Sequence, residues 1–334
     1  MSVAIIGAGI SGSYLARRLE EEGFKVKVYD RTRRWRGCRC AWASYGDELD
    51  DLLRPLFLHA EEFELARMER AVVNGVEIDL GRPPVIIDKP KLLKELWGGE
   101  IVQKEIRFPE RVRANLVVNA TGVPICPEEF MALPAYQALV EGDYPRDRAL
   151  VYMRRDVRGY AWFFPAREGL FHLGAACLDY DPEALALKLL SFYDLKVRKV
   201  CECEDKIRVM SPQHGVDITS ARWRRGGGLV LSVGEAAGAV HPISGEGNIP
   251  SLIGASLLFD AIKMEGVDEA VWRYWTDWVS YLIDERYPEA AEAYRHRGRR
   301  FWLRALREIK RRGRSRPKLG LLDELKVVWE VVVR

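Results

Sequence analysis

The chain has 334 residues, 48% of them hydrophobic and 30% charged, with a formal net charge of +3. That is enough to bury one large core or two intimately joined ones, with the composition of a soluble globular protein. No run approaches the roughly twenty apolar residues of a membrane span.

The chain enters an apolar run, Val3 to Ile6, at once. No signal peptide is therefore expected, and a cytosolic, reducing location is, with the six cysteines as thiols. Cys38/Cys40 and Cys201/Cys203 have C-x-C spacing, not the C-x-x-C of common zinc sites, so no metal is expected. The apolar run leads into Gly7-Ala8-Gly9-Ile10-Ser11-Gly12, a helical pattern, a second apolar run and Asp30. Strand, glycine turn, helix and acid-tipped strand form the adenine-dinucleotide fingerprint. Gly7 makes the tight turn, Gly9 admits a pyrophosphate close to the backbone, and Gly12 lets the helix pack on the strand. The helix N-terminus, beginning around Ser11, offers N–H groups to the anion. Asp30 stands where an acid hydrogen-bonds a ribose hydroxyl. Alone, this stretch leaves NAD and FAD equally open.

An arginine-dense loop, Arg31 to Trp42, follows. Its arginines, Arg31 first, either screen cofactor phosphates or form a solvated loop. Cys38 and Cys40 sit among them, as reactive thiols or as small loop fillers. Residues 47–70 read as helical, with Leu49, Leu52, Leu53 and Leu56 on one face. Short strands follow over residues 71–88, with Asn74-Gly75 as a hairpin turn. A helix runs from Asp88 to Trp97. The apolar run over 114–119 suits the middle of a parallel sheet, and Ala120-Thr121-Gly122 suits a backbone pressed on a ligand.

From Ala149 to Met210 the strands turn aromatic, with a helix over Pro182 to Tyr193 between them. An inserted antiparallel sheet is expected. Strand alternation puts Tyr160, Trp162 and Phe164 on one face, either a core face or the wall of an apolar substrate cavity. The strand Gly228 to Val233 leads into a glycine-rich loop through Gly234, Glu235, Gly245, Gly247 and Asn248. A helix starting near Asn248 aims its N-terminus at an anion or polar ring edge. His241 reads as a loop histidine rather than an acid or base. Helices fill Ser251 to Arg334, with Tyr274, Trp275, Trp278 and Leu282 as an aromatic face. Arg295 to Arg312 form a basic amphipathic helix, lying either on an anionic membrane surface or against the rest of the protein. Nucleic acid is not expected as a partner, because no recognition module accompanies it.

Four elements, GAGISG with Asp30, NATG at 119–122, YAWFFP at 160–165 and GEAAGAVHPISGEG at 234–247, resemble in order and spacing the FAD-binding fold of p-hydroxybenzoate hydroxylase. Within that group the chain is most similar to the geranylgeranyl reductase family. The resemblance implies an α/β fold: a Rossmann-like FAD-binding domain, an inserted antiparallel-sheet substrate domain and a helical C-terminal region. In segments, the FAD domain takes about 1–70, 85–145 and 211–265, the sheet domain about 71–84 and 146–210, and the basic helical region 266–334. FAD is the implied cofactor, held by Gly7, Gly9, Ser11, Gly12, Asp30, Arg31, Ala120, Thr121, Gly122, Gly234, Glu235, Gly245, Gly247 and Asn248. Tyr160, Trp162, Phe164 and Pro165 match the strand that lines the family's lipid cavity. Cys40, followed by Ala41, matches its cysteine beside the flavin and is the candidate catalytic residue. Glu235 stands where the family has aspartate, and the family's Ala-Asp-Gly is Ala120-Thr121-Gly122 here. The implied activity is reduction of C=C bonds in an isoprenoid lipid at a peripheral membrane surface, with reduced ferredoxin or a reduced nicotinamide as electron donor. An aromatic or quinone monooxygenase of the same fold and a non-catalytic flavin protein are the alternatives.

Overall fold

The computed structural model describes residues 1–32, 40–79, 82–96, 99–214, 222–225, 228–311, 326–327 and 329–333. Residues 33–39 of the arginine-dense loop, Cys38 among them, thus lie outside the described residues, as does the end of the basic segment. The first strand, β1 (Ser2–Ile6), is buried from Val3 onward. It runs through the glycine turn into α1 (Ile10–Glu21) and β2 (Lys25–Asp30). Next come β3 (Ala43–Ser44) and α2 (Gly46–Leu53). The single helix expected over 47–70 stops there. Pro55 opens a 3-10 turn at Arg54–Leu56, Phe57 takes a left-handed φ of 56°, and a second 3-10 turn at Ala60–Phe63 leads into β4 (Glu64–Arg67).

The hairpin of β5 (Arg70–Val73) and β6 (Val76–Asp79) turns at Asn74 and Gly75, both at positive φ. It is followed by β7 (Val85–Ile87), α3 (Lys89–Leu96), β8 (Ile101–Gln103) and β9 (Leu116–Asn119). The aromatic half holds β10 (Phe130–Glu141), β11 (Arg148–Met153), β12 (Gly159–Pro165), β13 (Leu170–Cys177), α4 (Pro182–Phe192) and β14 (Arg198–Met210). Then come β15 (Arg222–Arg225) and β16 (Gly228–Ser232), followed by α5 (Asn248–Glu265), α6 (Val267–Asp284), α7 (Tyr287–Glu292) and α8 (Gly298–Arg311).

Two sheets matter for the site. One has the order β15-β16-β9-β1-β2-β8, parallel from β16 to β8 with β15 as an antiparallel edge. The other has the order β14-β10-β13-β12-β11-β5-β6 and is antiparallel except between β11 and β5. The expected mixed architecture is present. The segment boundaries differ at residues 130–141, assigned to the first domain on sequence, because β10 is an inner strand of the second sheet. Pro134 in its middle hides the strand, since proline is rare in sheet interiors. A small third sheet, β3-β7-β4, takes one strand from before α2 and two from between α2 and α3.

The C-terminal helices clamp the glycine loop after β16. Trp278 is fully buried against Gly254 of α5, and its indole N–H donates to the Ala237 carbonyl at 2.8 Å. Tyr274, also fully buried, donates its hydroxyl to the Ser232 carbonyl at 2.6 Å. The basic helix α8 turns its apolar face inward: Phe301 and Trp302 are buried, and the Trp302 N–H donates to the Arg154 carbonyl at 2.8 Å. At Phe301 and Trp302 that apolar face is occupied by the protein itself. Arg299, Arg300, Leu303, Arg304 and Arg307 face outward. Among the described residues no helix is long and apolar enough to cross a membrane. Trp278→Ala removes a buried indole and its hydrogen bond together. Urea unfolding of this variant is expected to show a loss of about 3–5 kcal/mol.

Candidate functional site

A cavity of about 1730 Å³ runs from the glycine turn after β1 to the aromatic strand β12 and α8. Single-ligand sites are usually about 300–1,000 Å³, so this one has room for a dinucleotide and a second molecule.

One end is built from the turns that end the parallel strands. Gly7 has φ +107°, and a Cβ on it would stand 2.3 Å from the Ala120 carbonyl oxygen. A Cβ on Gly12 would stand 2.0 Å from the Gly7 carbonyl oxygen. Gly9 differs: a Cβ there would meet nothing within 4 Å, and it faces the cavity. It caps α1 with no side-chain hydrogen bond, leaving the first-turn N–H groups for an anion. Asp30 accepts the Ala8 N–H at 2.8 Å on one oxygen and the Thr32 N–H at 2.7 Å on the other. Its carboxylate therefore braces the glycine turn while lining the cavity, as Arg31 also does. Asn119 shapes the next turn, accepting from the Thr121 hydroxyl at 2.8 Å and donating to the Val123 carbonyl at 2.9 Å. Ala120, Thr121 and Gly122 thereby line the wall.

Glu235 lines the same wall and accepts the Arg208 backbone N–H at 2.8 Å. Although 29% of its side chain stays open, burial of the carboxyl pushes its pKa up to about 7, only partly offset by the Arg208 hydrogen bond. Farther along, Gly245, Gly247 and Asn248 line the cavity at the start of α5, whose N-terminus also lacks a side-chain cap. Gly12 and Gly234 do not line it. Their place is in the packing beneath, Gly234 against Ser11, where a Cβ would stand 2.6 Å from the hydroxyl oxygen. His241 is fully buried; its Nδ1 accepts the Ser244 N–H at 3.1 Å and holds the glycine loop in shape.

The other end is one face of the seven-stranded sheet. Ala71 and Val73, Leu133 and Ala135, Ala149 and Val151, and Tyr160, Trp162 and Phe164 all line it. Strand alternation makes this a wall from one side of the sheet. The opposite side, with Leu150, Phe163 and Leu173, packs under Leu185 and Leu189 of α4. Pro165 is the exception among the expected wall residues, since alternation puts it on the Phe163 side and it does not reach the cavity. The Tyr160 hydroxyl donates to the Ser244 carbonyl at 2.5 Å, tying wall to glycine loop. The Trp162 N–H donates to the buried Gln137 side chain at 3.1 Å.

Cys40 lies where the two ends meet. Its sulfur accepts the Trp42 N–H at 3.4 Å and lies 3.6 Å from the Lys89 ammonium. Lys89 also donates to Asn248 Oδ1 at 2.8 Å, while Asn248 Nδ2 donates to the Ala43 carbonyl at 2.9 Å. Lys89, Trp42, Gln137 and Trp302 line the cavity without having been singled out on sequence. Of these, Lys89 had a signal, as a cation opening a helix after an apolar strand.

The uncapped helix N-termini, the open space at Gly9 and the polar turns around them fit an FAD along the first half of the cavity. Residues 5–51 match the model of the NAD(P)-binding Rossmann-like domain family. Over nearly its whole length the chain shares its mixed α/β fold with solved structures that are 14–16% identical to it. It is similar to a geranylgeranyl bacteriochlorophyll reductase-like protein from Thermoplasma acidophilum, with a TM-score of 0.67 and 16% identity over 98% of this chain and 96% of that one. It is also similar to p-nitrophenol 4-monooxygenase from Pseudomonas putida, with a TM-score of 0.64 and 15% identity over 98% of this chain and 96% of the other. In sequence the chain is 25% identical to an uncharacterized protein of Methanocaldococcus jannaschii over 324 residues, 82% of this chain and 86% of that protein.

Gly9→Ala is expected to leave the melting temperature unchanged and weaken FAD binding at least about tenfold, about 1.4 kcal/mol, in a flavin fluorescence titration. Gly7→Ala, strained and without space, is expected to lower the melting temperature itself. Glu235 sets a pH dependence in the cofactor-free protein. Its carboxyl ionises near 4.5 when unfolded and near 7 when folded. The stability this protonated group contributes is complete below the lower value and is lost as pH rises through the upper one. The total is roughly 3 kcal/mol at about 1.4 kcal/mol per pH unit. Urea unfolding across that window is expected to show this slope in the wild type and its absence in Glu235→Gln.

Proposed function

We propose that the protein is an FAD-dependent reductase that saturates C=C bonds of an isoprenoid, geranylgeranyl-type lipid. The observation that carries the reading is the second half of the cavity: a whole apolar sheet face, ending in three aromatic rings, next to a site that fits a dinucleotide. Such a wall suits a long apolar chain and offers few polar groups to a small hydrophilic substrate.

The α1 N-terminus, Gly9, Thr121 and Glu235 would hold the ADP half of FAD, and Gly245, Gly247 and Asn248 its ring half. FAD, when bound, supplies a hydride, drawn from reduced ferredoxin or a reduced nicotinamide. An isolated trisubstituted alkene also needs a proton and a dry site. Tyr160, Trp162 and Phe164 keep water from the prenyl chain and fix its path. Cys40 brings a thiol to where wall and cofactor end meet. The outward arginines of α8 offer positive charge to an anionic membrane surface that would supply the lipid.

Purified protein is expected to be yellow with FAD and, under dithionite, to add one H2 per double bond to a geranylgeranyl lipid, followed by mass spectrometry. Trp162→Ala is expected to lower that rate at least about tenfold, about 1.4 kcal/mol, with FAD content unchanged. Yellow protein that leaves the lipid unsaturated, or consumes oxygen with NADPH and an aromatic substrate, would overturn the reading.

A further inference from the structure

The reductase reading leaves the source of the proton open, and three chain segments converge on it. Cys40 comes from the segment after β2, Lys89 opens α3, and Asn248 opens α5; all three line the cavity. Asn248 works in both directions. Its amide N–H binds the Ala43 carbonyl at 2.9 Å, and its amide oxygen takes a Lys89 N–H at 2.8 Å. The ammonium is thereby held with its nitrogen 3.6 Å from the Cys40 sulfur. The sulfur is fixed from its other side by the Trp42 N–H at 3.4 Å. The neighbouring carboxylate, Asp88, does not compete for Lys89: it accepts Arg167 at 2.7 Å and the Lys91 N–H at 3.1 Å. Glu246 also lines this part of the cavity.

Resting on the reductase reading above, we propose that Lys89 acts through Cys40, restoring the thiol's proton after each bond is reduced. The step balances as follows. FAD, when bound and reduced, would supply the hydride, with its electron pair, that one alkene carbon takes. The other carbon takes the Cys40 proton, forming a C–H bond as the S–H bond breaks. The sulfur, left negative, takes a proton from the Lys89 ammonium, and the neutral amine regains one from water. Cys40 and Lys89 end as they began, and the substrate has gained H2. Lys89 supplies protons to Cys40 and does not itself touch the substrate. The bond to Asn248 sets the Lys89 ammonium beside the Cys40 sulfur.

A scaffold would slow every turnover equally, whereas a proton reserve is missed only after the first. Dithionite-reduced holoenzyme is mixed with geranylgeranyl lipid and quenched in time. Lys89→Met is expected to reduce the first double bond per flavin at the wild-type rate and later ones at least tenfold more slowly. Lys89→Arg keeps the charge but cannot release a proton, so the same burst is expected. Methylammonium in the buffer is expected to restore the later turnovers of Lys89→Ala. FAD affinity, read by flavin fluorescence, is expected to stay within twofold of wild type in all three. Equal slowing of first and later bonds, or a parallel fall in FAD affinity, overturns the inference and leaves the reductase reading intact. A wild type that reduces no lipid at all overturns both.

Discussion

The turn after β1 presses on the end of β9, and the cavity is placed by that contact. Gly7 leaves the strand at φ +107° with the Ala120 carbonyl where a side chain would be, and the Gly7 carbonyl in turn fills the Cβ position of Gly12. No larger residue allows both approaches. The contact seats the start of α1 over the carboxyl ends of the parallel strands, where open α/β sheets bind their ligands. Asp30 braces it from the β2 side through the Ala8 N–H. Gly9, between two crowded glycines, is left as open space. A methyl group is excluded by the fold at Gly7 and Gly12 and by the ligand at Gly9, so similar glycines in one motif answer to different constraints.

The second sheet contributes rigidity as well as a surface. Trp162 donates to Gln137, whose amide nitrogen contacts His172 Nδ1 at 3.2 Å, and the His172 ring stands edge-on to Trp42 at 4.5 Å. Burial drives the His172 pKa down to about 3, so the ring stays neutral and the chain of contacts does not change with pH near neutrality. Gly174 makes room for it, since a Cβ there would stand 2.5 Å from the Trp162 ring. The chain joins the middle of the aromatic wall to the segment that carries Cys40. The Trp162 ring and a thiol two residues before Trp42 thus share one frame, a form of preorganisation.

What could be read from the residues was local and conformational. Positive φ, close approach and uncapped helix ends each demand a narrow choice of residue, so the glycine turn, the Asn74-Gly75 hairpin, the Ala-Thr-Gly turn and the glycine loop all stand out. Alternation likewise exposed the Tyr160, Trp162 and Phe164 wall, and carried far enough it would have excluded Pro165. Pairings across the chain were not legible. Pro134 hid β10, because its place beside β14 is decided by partners some seventy residues away. Lys89 looked like an ordinary helix-opening cation until Cys40 and Asn248 were folded onto it. The basic helix left two readings open, and Phe301 and Trp302 answer to the core and to the cavity.

That inward turn of α8 bears on how the two ends of the cavity divide their tasks. The dinucleotide end is lined by cations and acids, including Arg31, Lys104, Glu105 and Glu235, and its ligand is expected to stay. The sheet end is apolar, and Trp302 closes part of it from a helix whose outer face is arginine. A substrate with an apolar tail and a polar head meets both properties along one element, rings inward and guanidinium groups outward. Water gains little on such a wall, because the tail displaces it without leaving polar groups unpaired. Protons must then come from groups built into the protein where the wall ends. Cys40, Lys89 and Asn248 stand at that boundary, held by hydrogen bonds to one another, to Trp42 and to Ala43. A polar cluster at the edge of a dry surface is stable only when its members satisfy each other, and these do. The same bonds that make the cluster tolerable to the fold hold its members at the cavity wall.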